Sequence, residues 1–460
     1  MVEEAHSRVT AGAARPALTR RRLGAAASTA AIALLGACAP GGAGQGAGEV
    51  TKTRQPVTLQ WQSSTASGDQ TRQKNWDLLL DRFQERQPHI TVERAYLPSG
   101  EHYDKVVVGL AGGSMPDLFN SIVTRVPSWA ARGVTLPLDE IVRRAKFNLA
   151  DFSAQALDGC RFKDRLCFLP QQDSFYILLY NKDLFDKAGV PYPGTTLKWE
   201  DLPAAAKKMT RDTNGDGKLD EWGFYAPSGD KQWISALWIN GAHYMDERAT
   251  TSLIDRPEAV AAVQSYVDLW ARHQVAPAPS DLNVSANAAW LTGKLGMYMQ
   301  LNAYFGQFRE GAQFAWDVAL LPEGKGGRGT PRETSPFGIG ALTRHPDEAW
   351  QVLDYMTSLE VQQHYSAAMG QWPTRKAAQD DYVKSYPKDQ PPAGIGAVLE
   401  MERKNYARLW PVTTTWIDIA TEWGNAMAPV YRGEASVAQA HTQLKPQFDR
   451  LLEEHQRLIR

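Results

Sequence analysis

The segment Asp212-Thr213-Asn214-Gly215-Asp216-Gly217-Lys218-Leu219-Asp220 has residue types and a spacing that could hold a metal ion. Asp212, Asn214, Asp216 and Asp220 stand at loop positions 1, 3, 5 and 9, with Lys218 at position 7 and glycine at position 6. Hard oxygen ligands at alternate positions around a sharp glycine turn suit calcium. Position 12, where a bidentate glutamate belongs, is Gly223, although Glu221 stands close by. The segment therefore reads either as a structural calcium loop or as an Asx-rich surface turn. A second pair, Cys160 and Cys167, flanks Arg161-Phe162-Lys163-Asp164-Arg165-Leu166. A hairpin turning at Lys163-Asp164 brings the two together. In an oxidising compartment that arrangement predicts a disulfide clip, the alternative being two reduced small hydrophobes. No Gly-x-Ser-x-Gly elbow, His-Glu-x-x-His pair or phosphate-binding loop is present.

The first forty residues set the compartment. Thr19-Arg20-Arg21-Arg22-Leu23 is a charged region followed by a short run of small apolar residues, Gly24 to Ala33, and then Leu34-Leu35-Gly36-Ala37-Cys38. That order is an export signal over residues 1–37, and its arginine pair fits the twin-arginine type. Leu35-Gly36-Ala37-Cys38 resembles a bacterial lipobox, in which the cysteine becomes the lipidated first residue. The stretch from Leu23 to Ala37 is shorter than the roughly 20 apolar residues a membrane span needs. Residues 38–55 are rich in glycine and alanine and read as the lipidated cysteine and a flexible tether. The expectation is a protein held outside the cytoplasm on the cell membrane.

Composition narrows the function further. Taking away residues 1–37, with five arginines and two glutamates, moves the net charge from −1 to −4. No basic stripe remains, which argues against nucleic-acid binding. What is left of the 460 residues is too long for one core, so at least two lobes are expected. The chain carries 15 tryptophans and 16 tyrosines. Many belong to cores, but indole faces outside a cell also serve as platforms for the apolar C–H faces of sugar rings.

The elements that would position these residues follow from periodicity. Val57-Thr58-Leu59-Gln60-Trp61 alternates as a strand, and Trp76, Leu79, Leu80 and Phe83 mark a helix that Pro88 stops. A strand from Ile90 to Tyr96, a helix from Glu101 to Leu110 and a strand at Pro116-Asp117-Leu118-Phe119 complete a β-α-β-α-β rhythm, which predicts a mainly parallel α/β sheet flanked by helices. Phe175 to Tyr180 reads as a buried strand, with further strands at Lys294–Gln300 and Trp316–Leu321. Helices are expected from Trp199 and Pro257, and through most of the chain beyond Pro346, the last of them capped by Ser436. Trp76, Trp270 and Trp350 lie on apolar helix faces and are expected in cores.

Several pieces recur together in order. They are the export signal, Met115-Pro116-Asp117-Leu118-Phe119, Leu169-Pro170 ahead of Tyr180-Asn181-Lys182-Asp183-Leu184-Phe185, and Asp216-Gly217-Lys218 with Trp222-Gly223-Phe224. Then follow Gly296-Met297-Tyr298-Met299 before Asn302, and Gly370 with Pro373-Thr374-Arg375-Lys376. The ordered set, spanning about residues 55 to 455, resembles the solute-binding proteins of bacterial ABC transporters, in the carbohydrate-binding family that includes maltose-binding protein. The resemblance implies a two-lobed periplasmic-binding-protein fold with the ligand cleft between lobes. One lobe is expected over 56–171 and 335–375, the other over 172–334 and 376–460. It implies hinge closure around a carbohydrate, delivery to a permease with its ATPase, a monomeric state and no required cofactor.

Carried over by position, the resemblance lines the cleft with Trp61, Asn120, Ser121, Gln172, Asp173, Trp233, Asn302, Tyr304, Phe337, Gly338 and Trp372. Trp238 and Trp410 stand equally as core or cleft. Asp173 is expected to accept two sugar hydroxyls, whereas Asp117 is expected to be an internal acceptor. Arg125 is the one cation near an expected cleft loop, and it keeps open a glycerophosphodiester or an acidic sugar. Related lobes also bind polyamines or peptides. A glycan-degrading enzyme would need two carboxylates flanking one bond, and Asp173 is the only strong cleft carboxylate the resemblance supplies.

Overall fold

Residues 55–65, 70–225, 231–278, 285–409 and 412–460 are described by a computed structural model. The export signal, Cys38, the tether up to residue 54 and Trp410 lie outside the described residues. β1 (Val57–Thr65) pairs in parallel with β2 (Ile90–Pro98), Val57 opposite Ile90, and on its other edge with β3 (Leu118–Asn120). The helix Gln70–Arg86 joins β1 to β2 and buries Trp76, Leu79, Leu80 and Phe83, the i, i+3, i+4, i+7 stripe that faces the sheet. Ser99–Gly112 joins β2 to β3 and ends on Gly113 at a φ of 73°, the left-handed cap that glycine adopts without cost.

β4 (Arg161–Phe162) and β5 (Arg165–Leu166) form the expected hairpin, with Lys163 and Asp164 both at positive φ as a two-residue turn requires. The disulfide expectation is corrected: both cysteines are free and buried. Cys167 N–H donates to the Cys160 carbonyl at 3.0 Å, so the backbones are neighbours, but the Cys167 thiol turns back to the Arg165 carbonyl at 3.5 Å. Burial pushes both thiols above their ordinary pKa, Cys160 well above it. They serve as small apolar side chains.

The rest of the sheet is built from β6 (Leu169–Asn181), β7 (Trp222–Tyr225), β8 (Leu295–Leu301), β9 (Trp316–Ala319), β10 (Thr330–Ile339), β11 (Trp372–Pro373) and β12 (Ala407–Arg408). The strand order is β2-β1-β3-β10-β6-β8-β7, with β9 and β11 also on β6 and β12 on β10. Pairing is parallel at β1/β2, β1/β3, β7/β8 and β10/β12. It is antiparallel wherever β6 takes part, and where β10 meets β3. The fold is mixed α/β, a large sheet flanked by helices.

Two hydrophobic cores share this sheet. The first gathers Trp61, Trp76, Trp129, Phe168, Leu353 and Tyr365, among others. The second gathers Phe175, Trp290, Phe308, Trp372, Trp423 and Leu444, among others. Every residue of β6 is buried, because the strand has partners on both edges and passes from one core to the other. The chain changes core again between Leu321 and Phe337, along β10, and between Met369 and Trp372. The final helix, Val437–Ile459, carries the expected Ser436 cap as a full capping box with Gln439. The helix expected from Trp199 starts instead at Leu202, after a turn in which Leu202 N–H donates to the Trp199 carbonyl.

Candidate functional site

The crossing segments of β6, β10 and β11 decide where side chains point. Directly opposed residues on neighbouring strands share a face. Ser335 faces Gln172, Glu333 faces Ser174, and Gln371 Nε2 donates to Ser174 Oγ at 2.9 Å. Gln172, Ser174, Glu333, Ser335 and Gln371 therefore share one surface. Asp173, Arg332, Thr334 and Trp372 share the other, since Thr334 and Trp372 are both opposite Asp173.

This alternation removes Asp173 from the expected site. Asp173 is fully buried, with one oxygen 2.5 Å from Arg332 Nη1 and the other accepting from Thr334 Oγ1 at 2.7 Å. Arg332, also fully buried, reaches Glu402 and the Ala407 carbonyl. Burial raises the Glu402 carboxyl above its usual range against the opposing pull of Arg332. The carboxylate expected to hold sugar hydroxyls is instead half of an internal ion pair.

Other expected residues are structural too. Trp233 stacks on Trp423 with centroids 3.9 Å apart and is buried in the second core, as is Trp238, whose ring lies near the Arg408 guanidinium. Asn302 Oδ1 accepts from Phe175 N–H and Nδ2 donates to the Gly370 carbonyl. Tyr304 packs on Phe308 against the second core. Phe337 sits between Trp61 and Trp76, and Gly338 is glycine because a Cβ there would meet Phe168 Cε1 at 2.7 Å. Ser121 is fully buried and its N–H donates to the Pro336 carbonyl. Asp117 is the internal acceptor expected, taking Gln60 N–H and the Thr343 hydroxyl.

What does gather at the junction of the lobes is a different set. Asn120 at the end of β3 binds Ser64 at the end of β1 with both amide atoms, at 2.8 and 3.0 Å. His102 braces this corner. Its Nε2 faces the Asn120 carbonyl and so carries the proton, while Nδ1 accepts from Gln62. Burial lowers its pKa to about 4, so it stays neutral. The Tyr103 ring carries the Arg125 guanidinium 4.1 Å from its centroid. The same phenol lies in the electrostatic reach of Lys231 and Glu333, a nearly buried ion pair 2.8 Å apart, and burial pushes its pKa up. Tyr103 of the first lobe thus lies within electrostatic reach of a crossing strand (Glu333) and of the second lobe (Lys231).

Several groups here are buried with no hydrogen-bond partner among the described residues. They include Gln172 Oε1, Gln371 Oε1, Gln232 Oε1 and Ser235 Oγ. Such orphaned groups are costly unless water or ligand satisfies them. A cavity of about 380 Å³ is lined by Tyr103, Arg125 and Trp129 from the first lobe and Thr414, Ile417 and Asp418 from the second. A larger groove of about 780 Å³, around Trp199, Lys207, Asp268 and Arg272, contains none of the junction residues. Sequence reasoning missed Tyr103, Lys231, Glu333 and Gln371. One signal was available: Arg332-Glu333-Thr334-Ser335 is polar and charged, yet forms the middle of a buried strand.

The metal loop forms a self-bonded turn. Asp212 accepts from the N–H groups of Asn214, Gly215 and Gly217, Asp216 from that of Lys218, and Asp220 from Thr213. These bonds hold the Asp212 and Asp220 carboxyls below their usual range. No group of three or more acidic, histidine or cysteine side chains able to hold a metal occurs among the described residues. The geometry is that of a self-bonded Asx turn.

Residues 67–363 match the sequence model of the bacterial extracellular solute-binding proteins. The chain belongs to this family. A binding protein of Brucella abortus is 27% identical over 365 residues, which are 76% of this chain and 83% of that protein. Among solved structures, an ABC substrate-binding protein from Listeria monocytogenes, in complex with cycloalternan, superposes with a TM-score of 0.79 at 23% identity, covering 86% of this chain and 99% of that one. The GacH receptor of Streptomyces glaucescens, solved unliganded and with acarbose, gives 0.74 at 24% identity over 87% and 100%. These likenesses carry the fold, the two-lobed architecture of solute-binding proteins. No described helix of this solute-binding protein is long and apolar enough to cross a membrane.

Proposed function

We propose that the chain captures a carbohydrate, an oligosaccharide, between its lobes and delivers it to the permease and ATPase of an ABC importer. It breaks no bond. In this reading Cys38 carries a lipid that tethers a monomeric protein outside the cytoplasm after twin-arginine export. The observation that carries the proposal is the set of buried amide and hydroxyl atoms with no partner among the described residues, two of them on the face of the crossing strands that carries Glu333. Neutral polar atoms left open on one buried face suit a polyhydroxy ligand. The cycloalternan and acarbose complexes of structurally similar proteins support the same class.

A second reading rests on Arg125, whose guanidinium lines the junction cavity. It favours an anionic polyol such as a glycerophosphodiester or an acidic sugar. Thermal unfolding of the purified protein against neutral oligosaccharides, uronic acids, glycerophosphodiesters and polyamines separates the two. A ligand at about 100 times its Kd adds roughly 2.7 kcal/mol. Stabilisation by a neutral oligosaccharide supports the first reading. Stabilisation by the anions alone selects the second.

A further inference from the structure

Asn302 was expected to face ligand, yet it is fully buried behind the crossing segments. It lies just after β8, in the second lobe, and its side chain reaches two of the three places where the chain changes core. Its Oδ1 accepts Phe175 N–H at 3.0 Å, at the point where β6 leaves β10 for β8. Its Nδ2 donates to the Gly370 carbonyl at 2.8 Å, where the helix Leu359–Met369 of the first core ends and β11 begins.

The Gly370 carbonyl has a second donor, the hydroxyl of Tyr382 at 2.5 Å. Tyr382 is buried in the second core and packs edge-on against Trp372. Gly370 is fixed from its other side. Its φ is +73°, and a Cβ would meet Phe305 Cδ2 at 2.6 Å, so no side chain fits. Three groups of the second lobe, Asn302, Tyr382 and Phe305, therefore hold one peptide at the entrance to the third crossing.

The crossing segments are also bonded to one another. Asp173 joins Arg332 and Thr334, Gln371 joins Ser174, and the Thr374 hydroxyl donates to the Pro170 carbonyl. A bundle tied internally moves as a body, so lobe rotation is taken up where the bundle meets a lobe. We infer that Asn302 and Tyr382, through the Gly370 carbonyl, are positioning residues that set the angle between the second lobe and the crossing segments. This lies beyond the identity of the ligand and is tested without one.

The test is small-angle X-ray scattering of the full ligand-free chain, comparing wild type with Tyr382→Phe and Asn302→Asp. Tyr382→Phe keeps the ring and loses only the donor. Asn302→Asp keeps the acceptor for Phe175 and loses the donor to Gly370. The control is Tyr266→Phe, which removes a hydroxyl from the second core against Trp199, away from the crossings. In the structure the lobes face one another across the cavity that Tyr103 and Arg125 share with Thr414 and Asp418, so a loosened clamp enlarges the radius of gyration. The expected result is a larger radius for Tyr382→Phe, and for Asn302→Asp if it folds, with the Tyr266→Phe radius unchanged. An unchanged radius for folded Tyr382→Phe, whatever its melting temperature, overturns the inference. So does an equal enlargement in the control, which would mean general loosening.

Discussion

Arg332 and Asp173 meet 2.5 Å apart on adjacent crossing strands, with neither side chain exposed to solvent. Removing one partner from a buried pair strands the other charge, and the usual cost is about 3–5 kcal/mol. Asp173→Asn is therefore expected to destabilise by about 3 kcal/mol, because Glu402 still faces Arg332. Urea unfolding measures it. A variant that unfolds like wild type but loses ligand would return Asp173 to the binding site.

The opposite face gives the opposite expectation. Gln172 Oε1 is buried without a partner among the described residues, so Gln172→Met removes an unsatisfied acceptor at similar volume. Ligand-free stability should hold or rise slightly, while affinity for any ligand found in the thermal panel should fall about tenfold, the value of one hydrogen bond near 1.4 kcal/mol. Titration calorimetry and a melt on the same sample separate the two effects.

Trp233→Ala should behave as a core deletion. The ring is stacked on Trp423 and edge-on to Tyr244. Truncating it is expected to cost about 3–5 kcal/mol, seen as a lowered denaturation midpoint. A Trp233→Ala protein of normal stability with lost sugar binding would show the indole to be a ligand platform.

Acid should weaken the protein through its buried histidines. His102 and His441 have pKa values lowered to about 4 by burial, from 6.5. The folded state thus binds fewer protons than the unfolded one, and stability falls as pH drops from about 6.5 towards 4. Unfolding free energy compared at pH 7 and pH 4.5 checks the sign. His102→Gln should flatten the dependence by removing one of the two groups.

Much of the fold was legible where its signals are local. The Trp76 to Phe83 stripe, the Lys163-Asp164 turn and the Ser436 cap each specify their element within a few residues. The site was harder to read because it depends on strand parity and on partners far away in sequence. Gln172 and Asp173 are adjacent in sequence, yet the strand sends one to the junction and the other to Arg332, 159 residues away. Position alone also could not separate Trp233 from Tyr103, since both are large aromatics on helices. Only the stack on Trp423 and the place beside Arg125 on the cavity wall assign one to the core and the other to the junction.

β6 is a single uninterrupted thirteen-residue strand, and its two ends are rooted in different cores. The chain consequently has no seam at which it can be cut into two self-sufficient halves. A protease nick inside β6, or a gene split between its codons, would take a central staple from both bodies at once and leave each with a raw, sticky sheet edge. Heat and denaturant should melt the whole molecule in one step, and a split-protein sensor would have to be divided at a surface loop instead.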